Sequence, residues 1–246
     1  DGLIRSNPAN LASPPSASEA RPPEIETWDA QQAMHFLERT RARRDYLHIA
    51  WLILLGTGMR RGELVALRWR DVDLENGRIV IQRSYHYIKQ MGVAPVKGFG
   101  TPKSGKPRVV DIDPSLVAAL AFQRETQASL RGEVTRESLV LPNRFGEPLN
   151  PERLTEQFRA RVRAAQVDNP ALPLIKLHGL RHTHATLLLS EGIHPKVVQE
   201  RLGHANILIT LNTYSHVLPT LQRAAATAIG DLLSGQSQMQ QEDRDQ

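Results

Sequence analysis

The stretch from His178 to Tyr214 gathers side chains that can do chemistry on a phosphate. It reads His178-Gly179-Leu180-Arg181-His182, then Leu202-Gly203-His204, with Tyr214 ten residues after that last histidine. Upstream, Thr57-Gly58-Met59-Arg60-Arg61-Gly62-Glu63-Leu64 adds an arginine at the predicted start of a helix, where backbone N–H groups also favour an anion. Glu63 lies three residues beyond Arg60, on the same helix face, and can hold its guanidinium in an ion pair. Guanidinium forks neutralise and orient a phosphate, imidazoles move protons or donate hydrogen bonds, and a phenol is a nucleophile. Together these groups suffice to attack a phosphodiester without a metal.

Two further clusters bear on this chemistry. Thr101-Pro102-Lys103-Ser104-Gly105-Lys106-Pro107-Arg108 is a basic loop between two predicted strands, suited to a polyanion backbone. His178, His182 and His184 are close enough in sequence to raise a zinc site. The His-Glu-x-x-His pattern is missing, however, and no carboxylate or thiolate completes a ligand set, so no metal is assigned. His182 and His184 are read as packing or structural hydrogen-bonding residues.

The elements that must position these groups follow from periodicity. Residues 1–26 are rich in Pro, Ser, Ala and Asn without an apolar period, and read as a linker. Thr27 is the expected N-cap of a helix over 28–39. A nearly uniform apolar run predicts a buried helix near 44–56, and a third helix carries Arg60 to about Leu67. Arg78–Arg83 and Arg108–Ile112 are rich in β-branched residues and read as strands, with Gly92, Gly98, Gly100 and Gly105 marking turns between them. Helical patterns resume at about 114–130, 151–165, 179–191, 195–202, 206–213 and 218–233. The Gln-rich tail from Ser234 to 246 reads as disordered. The fold class expected is α+β, mostly helical, with one small antiparallel β-sheet.

Composition sets the outer limits. The 246 residues can bury a substantial core, and the formal charge of +5 with a pI near 9.8 suits a polyanionic partner. The chain has no cysteine, which excludes disulfides, zinc-thiolate sites and a cysteine nucleophile. No apolar run approaches the roughly 18–20 residues of a membrane span. With no signal peptide and Asp1 in first place, the expectation is a cytoplasmic protein and a fragment of a longer chain.

The order and spacing of Arg60, His178, Arg181, His204 and Tyr214 resemble the tyrosine recombinases, the phage-integrase family that cuts and rejoins DNA; the resemblance runs from about Thr27 to about Leu233. It implies a catalytic domain over 27–217, preceded by the linker and an absent DNA-clamping domain. It implies Arg60 and Arg181 as phosphate-clamping arginines, with Glu63 supporting the first. His178 is implied for proton transfer, His204 for a hydrogen bond to the phosphate and Tyr214 for the nucleophile, forming a 3′-phosphotyrosyl link. Lys103 matches the hairpin-tip lysine that protonates the leaving 5′ oxygen, with Lys106 as its competitor; Lys106 and Arg108 are otherwise expected to contact DNA. By the same resemblance the reaction needs no cofactor. Its partners are paired duplex sites, three further copies in a tetramer and an accessory directionality factor, and 218–233 is a helix able to dock on a neighbouring subunit. The long stretch Ser84–Gly100 points towards integrases of phages and mobile elements. A type IB topoisomerase and a non-catalytic DNA-binding regulator are the alternatives.

Overall fold

The computed structural model describes residues 26–88, 96–102, 105–214, 225–227, 229–231 and 233–234. Lys103, the linker up to residue 25 and the tail beyond 234 therefore lie outside the described residues. Of the helix expected at 218–233, residues 225–227 and 229–231 are described and helical, as are 233–234 beside it.

Eight helices and five strands follow one another among the described residues. Helix α1 (Ala30–Ala42) starts two residues later than the sequence suggests. Asp29, rather than Thr27, caps it, accepting from the Gln32 N–H at 2.8 Å while the Gln32 side chain accepts from the Asp29 N–H. Trp28 is thereby freed to anchor the chain: its N–H donates to Thr183 Oγ1 and its indole N–H to the Pro173 carbonyl. Helix α2 (His48–Thr57) is the buried helix foreseen, and it packs against α1, α4 (Pro114–Arg131) and α6 (Gly179–Ser190). Its first turn begins at His48 rather than 44, because Arg44 takes a left-handed turn conformation. Helix α3 (Arg61–Val65) is short, and Gly62 lies against the backbone of Tyr85, where a Cβ would approach Tyr85 O to 2.9 Å.

The sheet differs from expectation. A three-stranded antiparallel sheet has the order β1 (Val72–Asp73), β2 (Arg78–Ile81), β5 (Arg108–Asp111). A separate ribbon, β3 (Ser84–Ile88) paired with β4 (Val96–Gly100), emerges between β2 and β5. Gly98 and Gly100, read as turn residues, are strand residues here, facing His86 and Ser84 across the ribbon. The remaining helices are α5 (Pro151–Ala165), α7 (Pro195–Leu202) and α8 (Ile207–Thr213), each begun by a capping side chain, from Asn150, His194 and Asn206.

The interior has two parts. A large core runs from Trp28 to Leu180 and centres on Trp28, Phe36, Trp51 and Phe158, whose rings meet at centroid separations from 5.0 to 6.2 Å. A smaller cluster joins Ala185, Leu189, Val198, Leu202 and Tyr214. Helix α6 spans both: Leu180 belongs to the first and Leu189 to the second.

Candidate active site

The site lies where the C-terminal ends of α2 and α7 meet the beginnings of α3 and α6. A helix end leaves carbonyls without intrahelical partners, and cationic side chains are favoured beside them. Here three side chains fill the end of α2, two of them the guanidiniums of Arg181 and Arg201 and the third the imidazole of His184. His184 Nδ1 bonds the Leu55 carbonyl at 2.7 Å, Arg201 Nη2 donates to Gly56 O at 3.0 Å, and Arg181 Nη1 donates to Gly58 O at 2.7 Å. Gly58 itself is left-handed, with φ of +63°, and a Cβ there would stand 2.6 Å from the His184 ring. The end of α7 is used in the same way. Arg181 Nη2 donates to Leu202 O at 2.8 Å and Arg108 Nε to Arg201 O at 2.8 Å, across Gly203. Arg181 is thus 3% exposed, yet it meets backbone carbonyls rather than a carboxylate. Burial, reinforced by the nearby charges of Arg60 and Arg108, pushes its pKa down to about 9.

Glu63 is the buried anion of this group. Its carboxylate accepts from Arg60 Nη1 at 3.0 Å and from the Arg60 N–H at 2.8 Å. Arg108 meets it with both terminal nitrogens, at 3.1 and 2.6 Å. Burial alone would raise the Glu63 carboxyl, but the Arg108 fork and the Arg60 contacts outweigh it and hold the group below the usual carboxylate range. Arg108, expected to contact DNA, is turned inwards onto Glu63, its side chain 8% exposed. The strand alternation gives the reason: Arg108 shares a face of β5 with Val110, which is fully buried.

The histidines and the tyrosine close the site. His178 is the residue preceding α6, and its ring meets that of His182 edge to face at 4.8 Å. Burial, with His182 and the Arg181 guanidinium beside it, lowers the His178 pKa to about 4. His204 follows the left-handed Gly203; its Nδ1 shares a hydrogen bond with Thr210 Oγ1 at 2.9 Å. Burial and then Arg181 and Arg60 bring its pKa down to about 4. Tyr214 caps the C-terminal end of α8 and is 1% exposed. Its hydroxyl is 2.9 Å from His182 Nδ1, and burial raises its pKa to about 12 against the pull of Arg181.

The structure thus gathers Arg60, Glu63, Arg108, His178, Arg181, His204 and Tyr214 into one region. Of the two lysines in the β4–β5 connection, Lys103 lies outside the described residues. Residues that sequence reasoning left aside also belong here. His182 touches the phenol, Thr210 orients His204, and Arg201 secures the end of α2. For His182 the sequence carried one signal, its place one residue beyond Arg181 on the same first turn. The 32-residue separation from Tyr214 carried none.

Comparison with known proteins agrees with this arrangement. A tyrosine recombinase XerC-like protein of Caldanaerobacter subterraneus subsp. tengcongensis is 31% identical over 94% of this chain, and the integrase of ICEBs1 from Bacillus subtilis is 30% identical over 72%. The chain spans 61% and 46% of the lengths of those two relatives. Among solved structures, the Tn1549 transposon integrase in complex with transposon right end DNA superposes with a TM-score of 0.69 at 25% identity, covering 92% of this chain and 73% of that one. The catalytic domain of bacteriophage HP1 integrase shares the fold, with a TM-score of 0.52 at 22% identity over 83% of this chain and 95% of its own. A profile of the phage integrase family matches residues 24–220, and the chain belongs to that family.

Proposed function

We propose that this chain is the catalytic part of a site-specific DNA recombinase that cleaves and rejoins DNA through Tyr214. The observation that carries the reading is Arg181. A buried guanidinium held by two carbonyls, beside Arg60 and Arg108 with Glu63 as their shared carboxylate, is a cation short of an anion. A scissile phosphate supplies it. Arg60, Arg181 and His204 then stabilise the charge that builds on the phosphoryl oxygens, an effect worth on the order of 10²–10³ in rate per well-placed donor. With Thr210 donating to His204 Nδ1, the neutral ring presents its Nε2–H to the phosphate.

In the first step the phenolic oxygen of Tyr214 bonds to phosphorus and the bond to the 5′ oxygen breaks, leaving a 3′-phosphotyrosyl link and a 5′ hydroxyl. A 5′ hydroxyl of the partner strand then displaces the tyrosine. One phosphodiester is exchanged for another, so no nucleoside triphosphate is consumed. Lys103 is the proposed proton donor to the leaving oxygen. Four strands exchanged between two duplexes take four nucleophiles, hence a tetramer on DNA, with 218–233 as the segment that links copies. The integrases of mobile elements among the relatives favour an integrative role.

A nicked suicide duplex tests this reading. The wild-type protein should form a denaturant-resistant adduct, and Tyr214→Phe should form none while binding the duplex equally well. An adduct with Tyr214→Phe would move the nucleophile elsewhere. Binding by this chain should weaken steeply with salt, because phosphate contacts dominate it.

A further inference from the structure

We propose that His182 takes the proton of Tyr214 during cleavage and returns it during rejoining. The inference rests on the reading of Tyr214 as the nucleophile. The His182 Nδ1 is 2.9 Å from the tyrosine hydroxyl, within the range of a direct proton transfer. His178, to which the family resemblance points for this task, stands edge to face with the His182 ring at 4.8 Å between centroids, and among the described residues it is His182 that bonds the Tyr214 hydroxyl.

The surroundings suit a base. The charged and titratable groups facing His182 are Arg181 on its own helix, His178 just before it, Tyr214 at the end of α8 and His204 after α7. Burial and the Arg181 charge keep His182 neutral at pH 7, and in the Nε2–H tautomer its Nδ1 accepts from the phenol. As the phenolic oxygen bonds to phosphorus, the O–H bond breaks and an Nδ1–H bond forms. The imidazolium that results stands beside the phosphate, where its charge is welcome. On rejoining, the departing phenolate recovers the same proton. A buried phenol needs some hydrogen-bond partner in any case, so the test must separate holding the hydroxyl from taking its proton.

His182→Gln keeps an acceptor for the hydroxyl but no base. Single-turnover cleavage of the suicide duplex should fall by about 10²-fold or more, with DNA affinity and thermal midpoint unchanged. The wild-type rate should fall towards acid pH; the Gln variant should lose that limb and quicken with hydroxide instead. Added imidazole should restore part of the rate to His182→Ala. A 5′-bridging sulfur, which removes the need for a proton donor to the leaving group, should leave the defect in place. Cleavage by His182→Gln at the wild-type rate with its acid limb intact overturns the proposal. So does loss of that limb in His178→Gln alone, which moves the role to His178. If the wild-type protein forms no adduct at Tyr214, the reading of the nucleophile fails and this one with it. If it forms the adduct and His182→Gln is normal, only the role of His182 fails.

Discussion

The two hydrophobic clusters differ in kind, and the site is divided between them. The larger interlocks four aromatic side chains, from Trp28 just before α1 and from α1, α2 and α5. The smaller is aliphatic but for Tyr214 itself, and rests on α6, α7 and α8. The first turn of α6, with Arg181, is rooted beside Leu180 in the larger core, whereas the tyrosine belongs wholly to the smaller one. The proposed phosphate clamp therefore stands on the larger core, and the proposed nucleophile on a smaller satellite of it. Such satellites open at lower free energy than a main core.

Three measurements would break or sharpen this contrast. Phe158→Ala should cost about 3–5 kcal/mol, because it removes a ring touching three others, and should lower the denaturation midpoint of the whole domain in one transition. Leu189→Ala should cost less, about 2–3 kcal/mol, at the low end for a buried leucine. Its signature should be local: amide exchange should accelerate in α7 and α8 well before it does in α2. Uniform acceleration in both regions would erase the distinction. A third test comes from pH. His178, His184 and His204 are held near 4 in the folded chain by burial, against about 6.5 when unfolded. The unfolded chain therefore takes up protons that the folded one refuses. Their contribution is full above about pH 6.5, and is lost as pH falls through 4. Bound duplex should flatten this fall for His178 and His204 by placing phosphate beside them, and leave the part due to His184, which faces the Leu55 carbonyl. Melting curves between pH 7 and 4, with and without DNA, would show whether the slope changes.

What the sequence made legible, and what it hid, follows the same physical lines. The apolar run of α2 and the helix-ending glycines Gly58 and Gly203 are local signals, and the structure has them where the pattern put them. The β3–β4 ribbon was hidden because Gly98 and Gly100 look like turn residues, and only pairing with Ser84 and His86 makes them strand. The inward turn of Arg108 was hidden because a charge in a basic loop suggests an outward face. Its alternation with Val110 pointed inwards, and Glu63 supplied the partner that burial demands. The His182–Tyr214 contact joins two helices through tertiary packing alone, which no spacing rule reports.

The two carbonyls that grip Arg181 have a further consequence. Gly58 O belongs to the frame, and Leu202 O to the helix just before the tyrosine-bearing segment. The guanidinium is thus a latch between the two bodies. Any excursion that lifts α7 and carries Tyr214 away also strips the arginine of one of its two holds. With the roles proposed above for Arg181 and Tyr214, clamp and nucleophile arm and disarm together, as in a mechanical interlock, and a half-assembled site is safe because it is incomplete in two places at once.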